Sequence, residues 1–197
     1  MNKSTVKKRK PAAADAQAAT IDAGDLMAVV NHFQSPLLRY VGQLLGRIDS
    51  EAEDVVQEAF IRLHKQVQKH GADSVLHLNT WLFKVAHNVT IDLIRKRKRR
   101  RPREEEAAES VATLAAQAAD EIDALGEVLR QEARHVALRE LSQLDEPVRQ
   151  VVLLKIIQGM PLREVGRVLD ISVSTVNYRL NQGLKELARR LKQAGVV

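Results

Sequence analysis

Residues 161–188 read PLREVGRVLDISVSTVNYRLNQGLKELA, and the spacing of apolar positions in this stretch decides the fold. Leu162, Val165, Val168 and Leu169 fall on one side of a short helix, and Val176, Leu180, Leu184, Leu187 and Leu191 on one side of a longer one. Asp170, Ile171 and Ser172 separate the two, with Ile171 and Val173 placed to plug the corner and Ser172 placed to cap the second helix. Two short amphipathic helices joined this tightly describe a helix-turn-helix, whose second helix can enter the major groove of DNA. The outer face of that helix carries Ser174, Thr175, Asn177, Tyr178, Arg179, Asn181, Gln182 and Lys185. These side chains hydrogen-bond base edges and phosphates, and a capped N-terminus leaves free amides beside a phosphate. An ordinary helical hairpin with a polar outer face is the competing reading, and the trailing Arg189, Arg190 and Lys192 weigh against it.

The same periodicity extends upstream. Asp145 and Pro147 start a helix that ends at Gly159, and another runs from about Leu125 to Leu141. Before them, residues 104–124 set acidic side chains among alanines with little large apolar surface, the composition of a flexible linker. Residues 21–103 form a separate helical block. Leu26 to Leu45 is apolar at helical spacing, with Pro36 expected to kink or break the run. Asp49 and Ser50 offer caps for a second helix, in which Val55, Val56, Ala59, Phe60, Leu63 and Val67 form the inner stripe. Asp54, Gln57, Glu58, Ile61 and Lys65 lie on another face. After a loop at 70–78, Asn79 is the expected N-cap of a third helix, with Trp81, Leu82, Val85, Ala86, Val89 and Leu93 inward and Lys84, His87, Asn88, Ile91 and Arg95 on a mostly polar side. That helix runs into seven consecutive cations, 95–101, before Pro102. Such a run is either a solvated face or the continuation of a DNA-facing surface.

The composition agrees. Of 197 residues 45% are hydrophobic but only 3% aromatic, so aliphatic side chains must fill the cores, which favours an all-helical fold. A net charge of +6 and a pI of about 9.7 favour a polyanionic partner. The chain has no cysteine, which excludes disulfides and thiolate metal sites and suits a reducing cytoplasm. No stretch reads as a membrane span. Residues 1–20 read as a disordered basic tail, either solubilising or brushing nucleic acid. An enzyme is not expected: there is no His-Glu-x-x-His, glycine-rich phosphate loop or Gly-x-Ser-x-Gly, and no cofactor or metal is implied.

Three segments together carry a family resemblance. Glu53 to Phe60 (EDVVQEAF) resembles the polymerase-binding segment of the extracytoplasmic-function (ECF) group of sigma-70 family sigma factors. Thr80 to Asn88 (TWLFKVAHN), followed by Ile91 to Arg95 (IDLIR), is similar to their helix that reads the minus-10 element. Leu162 to Val165, Ile171 and Ser172, Thr175 and Val176, and Arg179 and Leu180 resemble their minus-35-reading helix-turn-helix. The resemblance implies a sigma-2-like domain at 21–103 and a sigma-4-like domain at 125–197, and a factor that binds core RNA polymerase and promoter DNA and directs recognition, melting and initiation. It implies that Asp54, Gln57, Glu58 and Ile61 dock on polymerase. Asn79, Trp81, Lys84, His87, Asn88 and Arg95 would serve the minus-10 element, where trapping unstacked bases melts DNA without ATP. Ser174, Thr175, Asn177, Tyr178, Arg179, Gln182 and Lys185 would serve the minus-35 element. It further implies that the acidic linker threads the polymerase RNA channel and that an anti-sigma factor masks the two domains. Asp170 stands where the family usually has Gly, Asn177 and Gln182 where basic residues are common, and Tyr178 is bulkier than usual. The rival is a helix-turn-helix regulator that binds its operator alone, which would need neither the Asp54 to Ile61 face nor the minus-10-like helix.

Overall fold

The computed structural model describes residues 21–100 and 124–195, and every regular element in them is helical. The expected tail at 1–20 and nearly all of the linker at 104–124 lie outside the described residues.

Three helices form the first body: α1 (Leu26–Leu45), α2 (Ser50–His70) and α3 (Leu78–Arg100). The Asp25 carboxylate caps α1 by accepting the Ala28 N–H, and Gly46 ends it in the left-handed region at φ 78°. Asp49 caps α2 in the same way through the Ala52 N–H, with Glu51 and Glu53 in the positive first turn. Val29, Phe33, Leu37 and Val41 of α1 meet Val55, Val56, Ala59 and Leu63 of α2 and Leu82, Phe83 and Ala86 of α3, all buried. Tyr40 is fully buried, with its ring edge-on to Phe83 at 5.4 Å between centroids.

Two sequence expectations are answered here. Pro36 does not break α1, which continues through it as one helix. Proline removes one N–H and crowds one carbonyl, and the buried row from Val29 to Leu44 on both sides of it holds the helix together. Nor is Asn79 an N-cap. The helix starts at Leu78, with the Trp81 N–H donating to the His77 carbonyl, so Asn79 lies inside the first turn. Leu78 and Phe83 are both buried. The preceding loop holds a short 3₁₀ turn at Ala72–Ser74.

The second body contains α4 (Ala124–Ser142), α5 (Glu146–Val152), α6 (Leu162–Leu169) and α7 (Val173–Gln193). Between α5 and α6 the chain widens into a π-helical turn, Leu153–Ile157, closed by the Gln158 N–H on the Leu153 carbonyl at 3.0 Å. Leu141, Leu144, Val148, Val151 to Leu154, Met160, Val165, Val168 and Val176 are buried. Leu184, expected in the inner stripe of α7, is 40% exposed, and Gly183 is buried in its place. The reason is proximity: a Cβ on Gly183 would stand 2.7 Å from Val152 Cγ2 and 2.8 Å from Val148 Cγ1, so α5 and α7 touch where there is no side chain.

Candidate nucleic-acid and polymerase interfaces

The corner between α6 and α7 is the helix-turn-helix that the sequence predicts. Asp170 closes α6 in the left-handed conformation, φ 53° and ψ 43°, and no other described non-glycine residue has positive φ. The Ile171 N–H returns to the Gly166 carbonyl at 3.0 Å. Gly166 must be glycine for this closure, since a Cβ there would lie 2.8 Å from the Ile171 carbonyl oxygen. Ser172 then caps α7: its hydroxyl oxygen accepts the Thr175 N–H at 3.1 Å. With Val176, Leu180 and Gly183 turned inward, Ser174, Asn177, Tyr178, Gln182 and Lys185 face solvent, and Thr175 and Arg179 are half-buried. Tyr178 is 71% exposed, which a bare hairpin does not require of an aromatic ring.

Helix α2 separates its two faces as the sequence implies. Asp54, Gln57 and Ile61 are exposed on the side away from the core. Glu58 is half-buried and accepts a hydrogen bond from Arg62 Nε at 2.7 Å.

Helix α3 is less simple. Asn88 and Arg95 are exposed, Asn79, Trp81 and Lys84 half-buried, and Trp81 packs against the core. Of the cationic run, Arg95 is 3.7 Å from Asp92, while Arg97 pairs with Glu51 of α2. His87, expected on the polar side, is buried at 8% exposure, with Nδ1 2.9 Å from the Tyr40 hydroxyl. Burial pushes the Tyr40 hydroxyl above its ordinary pKa and lowers His87 to about 4, with Asp170 opposing and Arg95 adding to the shift. Tyr40 therefore keeps its proton, and which of the two groups donates across this contact is set by the tautomer of the neutral imidazole. A period-3.6 pattern cannot show this, because the hydroxyl that makes the burial acceptable comes from a helix 47 residues away.

The two bodies touch. Helix α3 packs against α6, the Thr80 hydroxyl donates to Glu164 Oε2 at 3.0 Å, and Lys84 Nζ lies 2.6 Å from Asp170 Oδ1. Among the described residues, no group of three His, Asp or Glu could hold a metal ion, and no helix is long and apolar enough to cross a membrane.

A helix-turn-helix body paired with a three-helix body, all-helical among the described residues, is the architecture of a two-module DNA-binding transcription protein. Comparison with known families gives a match to Sigma-70 region 2 over residues 29–100 and to Sigma-70, region 4 over residues 134–187. The chain is 30% identical over 166 residues to the ECF RNA polymerase sigma factor SigW of Bacillus subtilis (strain 168), covering 83% of this chain and 87% of that one. It is 28% identical over 160 residues to the ECF RNA polymerase sigma-E factor of Escherichia coli (strain K12), covering 75% and 80% respectively. The chain belongs to the ECF group of the sigma-70 family, and it is an RNA polymerase sigma factor that directs promoter recognition, an initiation factor without an enzymatic activity of its own. The fold is shared with CnrH, solved in complex with the cytosolic domain of CnrY, at a TM-score of 0.59 and 23% identity over 91% of this chain and 96% of that one.

Proposed function

We propose that the labour of promoter recognition divides among the three surfaces described above. Helix α7 reads the minus-35 element through Ser174, Thr175, Asn177, Tyr178, Arg179, Gln182 and Lys185. Helix α3 serves the minus-10 element through Asn79, Lys84, Asn88 and Arg95, with Trp81 as a supporting wall. His87 is a positioning residue beneath that face, since its ring is held against Tyr40. Asp54, Gln57, Glu58 and Ile61 of α2 form the polymerase contact, an acidic-polar face around one exposed isoleucine.

The observation that carries this reading is the outward display of hydrogen-bonding side chains on α7. Asn177, Tyr178 and Gln182 are exposed while Val176, Leu180 and Gly183 are packed. Specificity here rests more on hydrogen bonds to base edges than on charge, since only Arg179 and Lys185 of the seven are cationic. An anti-sigma partner that clasps both bodies in the cytoplasm fits the same architecture, and the solved complex of CnrH with the cytosolic domain of CnrY supports it.

The test is reconstituted transcription. Core polymerase with this protein should initiate at its cognate promoter, and the protein alone should bind that DNA poorly. Replacing Asn177 and Gln182 with Ala should abolish initiation at minus-35-dependent promoters while leaving binding to core polymerase intact. Tight specific operator binding without polymerase, with no initiation in its presence, would favour the stand-alone regulator instead.

A further inference from the structure

Helix α7 turns its polar side chains outward in an order that carries a base preference. Ser174, Tyr178, Asn181 and Lys185 are all exposed, and their alternating spacing of four and three residues sets them in one line along the helix. Asn177 flanks that line on one side and Gln182 on the other, both exposed. The three amides, Asn177, Asn181 and Gln182, make no side-chain hydrogen bond to any other described residue, so each presents a donor and an acceptor side by side. The hydroxyls and cations around them are already engaged. Ser174 and Thr175 each hold a contact of 2.8 Å with the capping Ser172 hydroxyl, and Arg189 and Arg190 are tied to Glu186. Lys185 is the cation in the line, and it stands at the C-terminal end.

In the major groove a side-chain amide matches adenine, because its carbonyl accepts from N6–H while its N–H donates to N7. Guanine shows two acceptors there, O6 and N7, which suit a cation and leave an amide carbonyl opposed. The base-reading first turns of a recognition helix here display amides and no exposed cation. We infer that this factor reads its minus-35 element at adenines, one through Asn177 and one through Asn181, which makes Asn181 a specificity-determining residue beside the seven assigned above. The two amides are one helical turn apart, a rise of about 6 Å, against about 3.4 Å per base-pair step, so the adenines stand about two steps apart. Val173 supports the same choice. It precedes Asn177 by one turn and is 44% exposed although apolar, and the thymine methyl is the apolar group that an A·T pair shows in this groove. The inference rests on the assignment of α7 to the minus-35 element, and it adds which bases that helix accepts.

The experiment presents the full chain, bound to core polymerase, with a pool of random-sequence duplex DNA. Selected sites should carry two adenines about two base pairs apart, upstream of a shared minus-10 element. Asn177→Ala and Asn181→Ala should each lower the preference for adenine over guanine about tenfold at one of these positions and leave the other unchanged, the discrimination that one bidentate pair provides. Asn177→Arg should move its position from adenine to guanine, a gain that misfolding cannot produce. Val173→Ala should relax the selection of thymine at a neighbouring pair. Guanine selected at both positions by the parent, or a selected element that Asn181→Ala and Asn177→Arg leave unaltered, would overturn the inference. If the parent with polymerase selects no upstream element, or the protein alone selects one equally well, the assignment of α7 to the minus-35 element falls and the adenine reading falls with it.

Discussion

The Tyr40–His87 pair predicts how the first body responds to acid. His87 titrates at about 4 in the folded protein because burial penalises its charged form, against 6.5 for an exposed histidine. Between those values the unfolded chain holds a proton that the folded one does not, so stability rises with pH across that window. The contribution is complete above pH 6.5 and is lost as pH falls toward 4. The whole shift corresponds to about 3 kcal/mol, and about 2 kcal/mol of it should be gone by pH 5. Among the groups facing the ring, Asp170 pulls the pKa up and Arg95 pulls it down, each less than burial does. The chain has one tryptophan, Trp81, two turns from His87 on the same helix, so its fluorescence follows unfolding of this body without interference from the other. Urea titrations read at Trp81 from pH 7.5 to 4.5 should show the midpoint falling steadily below pH 6.5. In His87→Gln, which has no ring to protonate, the fall in this window should shrink by about 2 kcal/mol at pH 5. Parallel pH curves for parent and variant would refute the argument, because they would mean that His87 is not held neutral by burial.

Three further outcomes follow from the packing. Gly166→Ala should destabilise the second body by about 1–2 kcal/mol, since overpacking against the Ile171 carbonyl exceeds the helix-propensity gain; thermal unfolding followed by circular dichroism reads it. Ser172→Ala removes the cap of α7 and should cost about 1 kcal/mol and weaken minus-35 binding, measured by denaturation and by promoter footprinting with polymerase. Asp54→Lys with Gln57→Ala should leave the melting temperature unchanged, because both side chains are exposed, yet weaken core-polymerase binding about tenfold in a fluorescence titration.

Much of this architecture was legible because it rests on local rules. The stripes of α2 and α6 and the caps at Asp49 and Ser172 each depend on residues within one or two turns of each other. What escaped depends on distant partners. His87 reads as a surface residue until Tyr40 is placed beside it, and Leu184 reads as core until α5 is seen pressing on Gly183. Lys84 belongs to a polar face in sequence, and only the meeting of α3 with α6 shows that Asp170 covers it. Pro36 was expected to kink or break α1, and the break does not occur because the local penalty is outweighed by the core on either side. The exposed rows on α2 and α7 lie where the periodicity puts them, and the partners proposed for them rest on the motif resemblance.

The wide turn at Leu153–Ile157 works as a phase adjuster. One surplus residue in a helix rotates everything downstream by about 100° relative to what precedes it. Four successive residues, Val151 to Leu154, stay buried across this insertion, while Ile156 and Ile157 swing outward at 51% and 47% exposure. The helix ends with this insertion: Gly159 turns the chain at φ 69° and Pro161 starts α6 afresh, so the extra residue acts on the seam it packs, letting a fourth consecutive side chain reach the core.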